Sequence, residues 1–317
     1  MTLLNRWINV TIIKYMSFRF YFFLLFFSFF FLFYPGDNPY LRILAFNQEV
    51  FTEQKPQQPI KILSIPVVSV PPPDFISAQG IYIVELDSFT PLYEKNAQQQ
   101  FFPASTTKIV TALVASDLYD PNRIITVNIG TTEGQVMGLF PGERLTAENL
   151  MYGILVHSGN DAAYALANEQ GYDNFIGLMN EKAASLHMTN SHFKNPAGLD
   201  DWDQLTSPFD LTLAARELIE HDYLRKMVST KEIIISDVDY RRFHTLTNVN
   251  KLLGEVQGLG GLKTGYTELA GENLVSFYRK DNHDYIIVIM KSLDRFADTT
   301  ALVNWINSSV TYTTPQL

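Results

Sequence analysis

Strand-like segments stand at both ends of the region after residue 75, and helix-like segments fill the space between them. Residues 81–86 and 91–94 are rich in β-branched and apolar side chains around a turn, and residues 274–279 and 285–290 repeat that pattern. Both pairs are typical of hairpins. Because strands at the two ends must meet in one sheet, the sequence predicts an α+β fold, an antiparallel sheet of N- and C-terminal strands packed with a helical cluster.

The N-terminal region carries the most apolar run of the chain. Of the fifteen residues 20–34, nine are phenylalanine and only Ser28 is polar. Three basic residues precede the run, and no acidic residue occurs before Asp37. A basic stretch followed by an apolar one is typical of an export signal whose N-terminus stays inside the cell. Since no small-x-small cleavage site follows, we expect residues 1–36 to form an uncleaved transmembrane signal anchor, with a removed signal peptide as the alternative.

A proline-rich stretch follows the apolar run. Residues 37–74 contain six of the chain's prolines between Pro56 and Pro73, with glutamine and lysine among them. Such a composition favours an extended, semi-rigid linker. An edge strand within residues 60–70 is the alternative. The globular domain is then expected to cover residues 75–312.

The composition narrows the possible functions. The chain has no cysteine, so it offers no disulfide framework, no thiolate metal site and no cysteine nucleophile. The formal net charge of −9 at pH 7 disfavours nucleic acid as a partner. Neither a phosphate-binding loop nor a dinucleotide-binding fingerprint occurs in the sequence.

The first motif with chemical potential is Ser105-Thr-Thr-Lys108, which opens an apolar helix predicted over residues 105–118. Residues i and i+3 share a helix face, which places the hydroxyl and the amine together. A serine hydroxyl is a weak nucleophile until a base takes its proton, and a buried lysine beside another positive charge is such a base. The pattern alone also fits a capping serine followed by a solvated lysine.

The second motif, Ser158-Gly-Asn160, lies in a predicted turn between two helices. Serine, glycine and asparagine all favour turns, which is the simplest interpretation. In an active site, the Ser158 hydroxyl would pass a proton to a leaving amine, and the Asn160 amide would hold the substrate backbone.

The third motif, Gly260-Gly-Leu-Lys-Thr-Gly265, lies on a predicted strand. Glycines in a strand favour close approach by another extended chain. A peptide laid along this strand would meet backbone groups, the Thr264 hydroxyl and the Lys263 ammonium, and the ammonium would pair with a terminal carboxylate. A phosphate-binding loop is disfavoured because no helix follows the motif.

Taken together, the three motifs resemble those of the serine D-Ala-D-Ala carboxypeptidases, the low-molecular-mass penicillin-binding proteins, which have a β-lactamase/transpeptidase-like fold. The likeness runs from about Pro71 to Trp305. Five segments carry it: residues 102–113, 157–163, 195–199, 261–267 and 294–299.

The resemblance implies a set of catalytic roles. Ser105 would form the acyl-enzyme and Lys108 would be the general base. Ser158 would shuttle a proton, and Asn160 would orient the substrate. Neither a metal nor a cofactor is implied.

The resemblance also implies a substrate-binding set on the third motif. Lys263, Thr264 and Gly265 would bind the C-terminal carboxylate end of the peptide together with Arg295. The backbone N–H groups of Tyr266 and of the nucleophilic serine would form the oxyanion hole.

The function implied is removal of the terminal D-Ala from peptidoglycan stem peptides, with β-lactam antibiotics as covalent inhibitors. The enzyme would work at the extracytoplasmic face of the bacterial cytoplasmic membrane, or be exported if the signal is cleaved. A D,D-endopeptidase acting on peptidoglycan crosslinks is the main alternative. A class A β-lactamase is disfavoured because no glutamate between Asn160 and Lys263 is followed four residues on by asparagine. A non-catalytic wall-peptide binder is disfavoured because it needs no nucleophile.

Overall fold

The computed structural model describes residues 18–31, 63–128 and 133–313. The chain divides into two compact units, Met1–Lys61 and Ile62–Leu317. In the first unit, residues 18–31 form helix α1. Among the residues that the structure describes, no helix is both long and apolar enough to cross a membrane. The remainder of the anchor predicted over residues 1–36 lies outside the described residues.

The second unit contains eleven strands, seven α-helices and one short 3-10 helix among its described residues. In chain order these are β1 (Ile65–Val68), β2 (Gly80–Glu85), β3 (Thr90–Lys95), the 3-10 helix (Ala104–Thr107), α2 (Lys108–Leu118), β4 (Ile124–Thr126), β5 (Arg144–Thr146), α3 (Ala147–Leu155), α4 (Asn160–Gln170), α5 (Tyr172–Ser185), α6 (Pro208–Glu220), α7 (Asp222–Val228), β6 (Glu232–Ser236), β7 (Phe243–Thr247), β8 (Leu259–Thr267), β9 (Gly271–Lys280), β10 (His283–Ser292), α8 (Arg295–Ser309) and β11 (Val310–Thr313).

A five-stranded antiparallel sheet organises this unit. Its strand order is β3-β2-β10-β9-β8, so the N-terminal strand β2 pairs directly with the C-terminal strand β10. This confirms the prediction that strands from the two ends of the domain share one antiparallel sheet. Strand β8, which carries the third motif, lies at one edge of the sheet, where one side remains open to another chain.

Successive side chains of a strand point to opposite faces of the sheet. In this sheet both faces are buried, each against its own apolar core. In β2, Tyr82 and Val84 pack into one apolar core, whereas Ile81 and Ile83 pack into the other. The first core includes residues from helices α2 to α7, which confirms the predicted helical cluster. The last helix, α8, covers the opposite face and contributes to the second core with β2.

The folded unit begins before the predicted boundary at residue 75. Strand β1 pairs antiparallel with β11, and Trp305 Nε1 donates a 2.7 Å hydrogen bond to the Val70 carbonyl. Part of the segment interpreted as a linker is therefore the edge strand that was the alternative interpretation. Pro66 is tolerated in this strand because a two-stranded edge leaves one side without a ladder to break.

Candidate active site

The nucleophile motif lies where the 3-10 helix passes into α2. Ala104 precedes Ser105 with a φ of 48°, a left-handed conformation that a non-glycine residue adopts at a cost of about 1–3 kcal/mol. Lys108, the first residue of α2, is fully buried, and its Nζ lies 3.0 Å from Ser105 Oγ. The structure thus brings together the serine and the lysine that their spacing predicted, although the first turn is 3-10 rather than α-helical.

The surroundings of Lys108 suit a neutral amine. Its Nζ also lies 2.6 Å from Asn160 Oδ1 and 2.7 Å from the Ala197 carbonyl oxygen. Both of these oxygens only accept, so they satisfy the two N–H bonds of an uncharged amine. The nitrogen lone pair is then left for the Ser105 hydroxyl, which can donate.

Burial and nearby charges also favour the neutral form of Lys108. Burial lowers the pKa of Lys108 well below its usual range, and the positive charge of Lys263 lowers it further. The nearby Asp161 carboxylate opposes the shift but is the smallest of the three influences. A lysine held neutral beside a serine hydroxyl is able to take the hydroxyl proton.

The second motif occupies the turn between α3 and α4, as predicted. Ser158 has a φ of 62°, which turns its side chain towards the third motif. Lys263 Nζ donates a 2.8 Å hydrogen bond to Ser158 Oγ. Asn160 is fixed at both ends of its amide, because Nδ2 donates to the Glu133 carbonyl while Oδ1 accepts from Lys108.

Lys263 lies behind the cleft rather than on its wall. Its side chain is buried, and its second hydrogen bond goes to the Thr264 carbonyl at 2.9 Å. Burial and the positive charge of Arg295 lower the pKa of Lys263 to about 7. Its contacts therefore connect it to Ser158, and its direct pairing with a substrate carboxylate stays a prediction.

A cleft of about 500 Å³ opens above these residues. The cleft is lined by Ser105, Glu133, Gly134, Gln135, Ser158, Asn160, Ala197, Gly198, Leu199, Val249, Thr264, Gly265, Tyr266, Thr267 and Arg295. All the predicted site residues except the two buried lysines therefore border one cavity.

The carboxylate end of the predicted site is built by β8 and the start of α8. Arg295 Nη1 donates a 2.7 Å hydrogen bond to the Gly265 carbonyl, which holds the guanidinium against the strand. Burial lowers the pKa of Arg295, while Glu272 and Asp294 oppose that shift. The Arg295 Nε atom is buried without a hydrogen-bond partner within the described part of the chain.

Two glycines allow neighbouring backbone segments to approach Ser105 closely. A Cβ atom on Gly198 would lie 1.8 Å from the Ala104 carbonyl oxygen, and Gly198 has a φ of +87°. A Cβ atom on Gly265 would lie 3.0 Å from the Ser105 nitrogen. Ser105 is therefore packed between the segment that carries Ala197 and strand β8.

Sequence reasoning missed three supports of the site. Ala197 contributes through its carbonyl oxygen, which no side-chain motif encodes. The buried Asp161 carboxylate accepts hydrogen bonds from the backbone of residues 137–139, next to the cleft wall. A buried pair, Glu143 Oε1 and His244 Nε2 at 2.6 Å, lies next to the same backbone, because His244 Nδ1 is 3.2 Å from the Met137 carbonyl oxygen. Among the described residues, no cluster of three or more acidic or histidine side chains is placed to hold a metal ion.

Comparison with known proteins gives one family. The family model described as D-alanyl-D-alanine carboxypeptidase matches residues 67–293. D-alanyl-D-alanine carboxypeptidase DacF of Bacillus subtilis is 33% identical over 221 residues, which cover 67% of this chain and 57% of DacF. DacB2 of Mycobacterium tuberculosis is 31% identical over 233 residues, which cover 72% of this chain and 79% of DacB2. The chain thus spans less than two thirds of the length of the Bacillus relative.

Solved structures show the same architecture. The crystal structure of the Streptomyces K15 DD-transpeptidase matches with a TM-score of 0.70 and 29% identity, covering 74% of this chain and 98% of that one. The D-alanyl-D-alanine carboxypeptidase from Mycobacterium tuberculosis matches with a TM-score of 0.71 and 28% identity, covering 78% of this chain and 98% of that one.

Proposed function

The chain belongs to the D-alanyl-D-alanine carboxypeptidase family, and we propose that it removes the terminal D-alanine from peptidoglycan stem peptides through an acyl-enzyme on Ser105. One observation carries the proposal: the 3.0 Å contact between Ser105 Oγ and the buried Lys108 Nζ at the edge of the cleft.

Acylation begins with proton transfer from Ser105 to Lys108. The serine oxygen attacks the carbonyl carbon of the penultimate D-alanine, and the oxyanion that forms is stabilised by the backbone N–H groups of Ser105 and Tyr266. The approach of Gly265 to the Ser105 nitrogen supports this placement.

Departure of the terminal D-alanine needs a proton on its amine. The Ser158 hydroxyl supplies it and is reprotonated by Lys263, to which it is hydrogen bonded at 2.8 Å. The proton that Lys108 took from Ser105 passes back through Ser158 to Lys263, which leaves Lys108 neutral again. Water then attacks the ester, Lys108 takes a proton from that water and gives it to the Ser105 oxygen as the ester bond breaks, and the shortened peptide is released.

The carboxylate of the leaving D-alanine binds at the end of the cleft formed by Thr264 and Arg295. Both residues line the cleft, and Arg295 is fixed by its bond to Gly265. A guanidinium is suited to a carboxylate because its planar donors match the two oxygens. β-Lactams carry an equivalent carboxylate, so we expect them to acylate the same serine.

The test is D-alanine release from a pentapeptide that ends in D-Ala-D-Ala, with the full chain and with Ser105→Ala. We expect release by the wild type alone. Cooperative unfolding shows that the wild type is folded. If such a protein releases no D-alanine, the proposed carboxypeptidase activity is wrong. A crosslinked peptide dimer measured in parallel would then show whether the D,D-endopeptidase describes the enzyme instead.

We also propose that the N-terminal segment holds the enzyme at the outer face of the bacterial cytoplasmic membrane. Support comes from the apolar run at residues 20–34 and from the exposed large side chains of α1, such as Phe20 and Leu25. Membrane fractionation of cells that express the full chain tests this. The protein is expected in the membrane pellet with its N-terminus intact, and recovery as a shortened chain in the supernatant would support the cleaved signal peptide.

A further inference from the structure

Two aromatic side chains, on segments that border the cleft, have no role in the chemistry proposed above. Phe102 lies three residues before Ser105, and Trp202 lies three residues after Leu199, which lines the cleft. Their ring centroids are 5.7 Å apart in an edge-to-face arrangement. Trp202 is 77% exposed, a large apolar area for a side chain next to a catalytic cleft.

The loop that carries Trp202 is held firmly. Asn195 Oδ1 accepts hydrogen bonds from the backbone N–H groups of residues 197–199, and Gln204 Nε2 donates to the Leu199 carbonyl. Asp200 Oδ1 accepts a 2.6 Å hydrogen bond from Thr267 Oγ1, which ties the loop to the end of β8. The tryptophan therefore stands on a fixed base, and little conformational entropy is lost when a ligand packs against it.

The segments that flank Trp202 and Thr267 carry negative charge. Asp201 and Asp203 flank Trp202, and Glu268 follows the threonine that binds Asp200. Within residues 63–128 and 133–313, none of these four carboxylates forms an ion pair. Negative charge around an exposed indole face favours a cationic ligand, because carboxylates and the aromatic face both attract an ammonium group.

We propose that Trp202 and Phe102 form a subsite for the amine of the third stem-peptide residue, a diamino acid whose side chain carries a free ammonium. This rests on the proposed function, since it assigns the part of the substrate that precedes the scissile D-Ala-D-Ala bond. With that bond at Ser105, the third residue is one extended residue further along the peptide, about 3.3–3.6 Å of backbone, and its long side chain extends from there.

The test compares two pentapeptides that differ only at the third residue, one with free lysine and one with Nε-acetyl-lysine. With the full chain in detergent, we expect kcat/KM to favour the free amine by about two- to fivefold. Trp202→Ala should bring the ratio close to one, and Trp202→Phe should keep part of the preference. Asp203→Asn should lower the ratio and weaken its dependence on salt, because it removes an exposed charge without changing the side-chain shape.

Tyr240→Ala is the matched control, since Tyr240 is 75% exposed on the turn between β6 and β7. We expect it to leave the ratio unchanged. The rate of acylation by benzylpenicillin should also be unchanged in Tyr240→Ala.

The outcomes separate this subsite from the proposed function. If the wild type releases D-alanine with the same kcat/KM from both peptides, the proposed amine subsite is wrong and the proposed carboxypeptidase activity is unaffected. Equal losses on both peptides in Trp202→Ala would also overturn an amine site. A preference for substrates that carry the glycan disaccharide, lost in Trp202→Ala in place of the amine preference, would assign the aromatic pair to a sugar ring instead. No release from either peptide would concern the proposed function alone.

Discussion

Two buried lysines face each other across the candidate active site, and their surroundings differ. Lys108 contacts three oxygens from three separate segments, including the nucleophile. Lys263 contacts the Ser158 hydroxyl and the carbonyl of its own neighbour on β8. Burial is the largest cause of the lowered pKa at both, but the charge that adds to it is Lys263 in one case and Arg295 in the other.

Their different surroundings suit the two lysines to different roles. The pKa of Lys108 is lowered by burial and by the next cation, so it is the one suited to remain neutral and act as a base. Lys263, with a pKa of about 7, is charged for part of the neutral range, and in the proposed mechanism it would support the proton relay and the positive potential near the substrate carboxylate. The positive charge of Arg295 lowers the pKa of Lys263, and the positive charge of Lys263 in turn lowers the pKa of Lys108.

The largest effect is expected from Lys108→Met, which keeps the volume of the side chain but removes the base. Acylation by a fluorescent penicillin should slow by about 10²–10⁴-fold, the usual contribution of a general base. Stopped-flow or gel-based labelling measures the second-order rate constant. A larger loss in Lys263→Met than in Lys108→Met would reverse the assignment of the two lysines.

Lys263→Met should give a smaller loss of about 10–100-fold on peptides with a free terminal carboxylate, in line with the loss of a charged hydrogen-bonding group. Because the Lys263 charge lowers the pKa of Lys108, its removal should raise that pKa and move the acidic limb of the acylation profile to higher pH. A pH series of acylation rates measures this. An unmoved limb would show that the two lysines are not coupled.

The same substitution predicts a change in the pH dependence of stability. The pKa of Lys263 is about 7 in the folded chain, against about 10.4 for an unperturbed lysine in the unfolded chain. Between these values the unfolded state binds more protons, so this group makes the free energy of unfolding rise with pH. Urea titrations should show a smaller rise from pH 7 to 10 in Lys263→Met, and an equal rise in both proteins would contradict the lowered pKa.

Gly198→Ala tests the close packing of Gly198 against the Ala104 carbonyl, next to the nucleophile motif. The added Cβ would overlap the Ala104 carbonyl in a positive-φ conformation, so we expect the free energy of unfolding to fall by about 1–3 kcal/mol and acylation to slow with it. Gly177→Ala is the control, because Gly177 is exposed in α5 and a Cβ there meets nothing within 4 Å. Urea denaturation of both variants checks the prediction, and equal stability would contradict the close packing at Ala104.

The smallest effect on chemistry is expected from Glu143→Gln. The substitution removes the carboxylate that pairs with His244 but leaves an amide in its place. We expect a loss of about 1–3 kcal/mol in the free energy of unfolding, with acylation slowed less than in either lysine variant. Thermal and urea denaturation measure the first, and penicillin labelling measures the second. A loss of acylation as large as that of Lys108→Met would give this pair a direct part in the reaction.

The features that the sequence predicted well are those in which nearby residues determine the structure. Ser105 and Lys108 are three residues apart, and the turn at Ser158 joins two helices that are adjacent in the chain. The antiparallel sheet followed from the apolar pattern of its strands. The left-handed conformation of Ala104, at the start of the 3-10 helix, has no signal in residue type.

The features that were missed depend on contacts between distant residues. Glu143 and His244 are 101 positions apart, so nothing local marks them as partners. Strand β1, which the sequence predicts only as the alternative to a linker, forms because β11 pairs with it, and its four residues lie in a proline-rich stretch whose composition favours a linker. The Ala197 carbonyl is a backbone group, and its role depends on where the chain passes rather than on the side chain at that position.

In the proposed reaction Ser105 is the nucleophile and Lys108 activates it. The most direct measurement is mass spectrometry of the full chain after incubation with benzylpenicillin, followed by digestion to locate the adduct. We expect one adduct, on the peptide that contains Ser105, which is absent from Ser105→Ala and forms slowly in Lys108→Met. An adduct on another residue, or the same adduct in Ser105→Ala, would contradict the account.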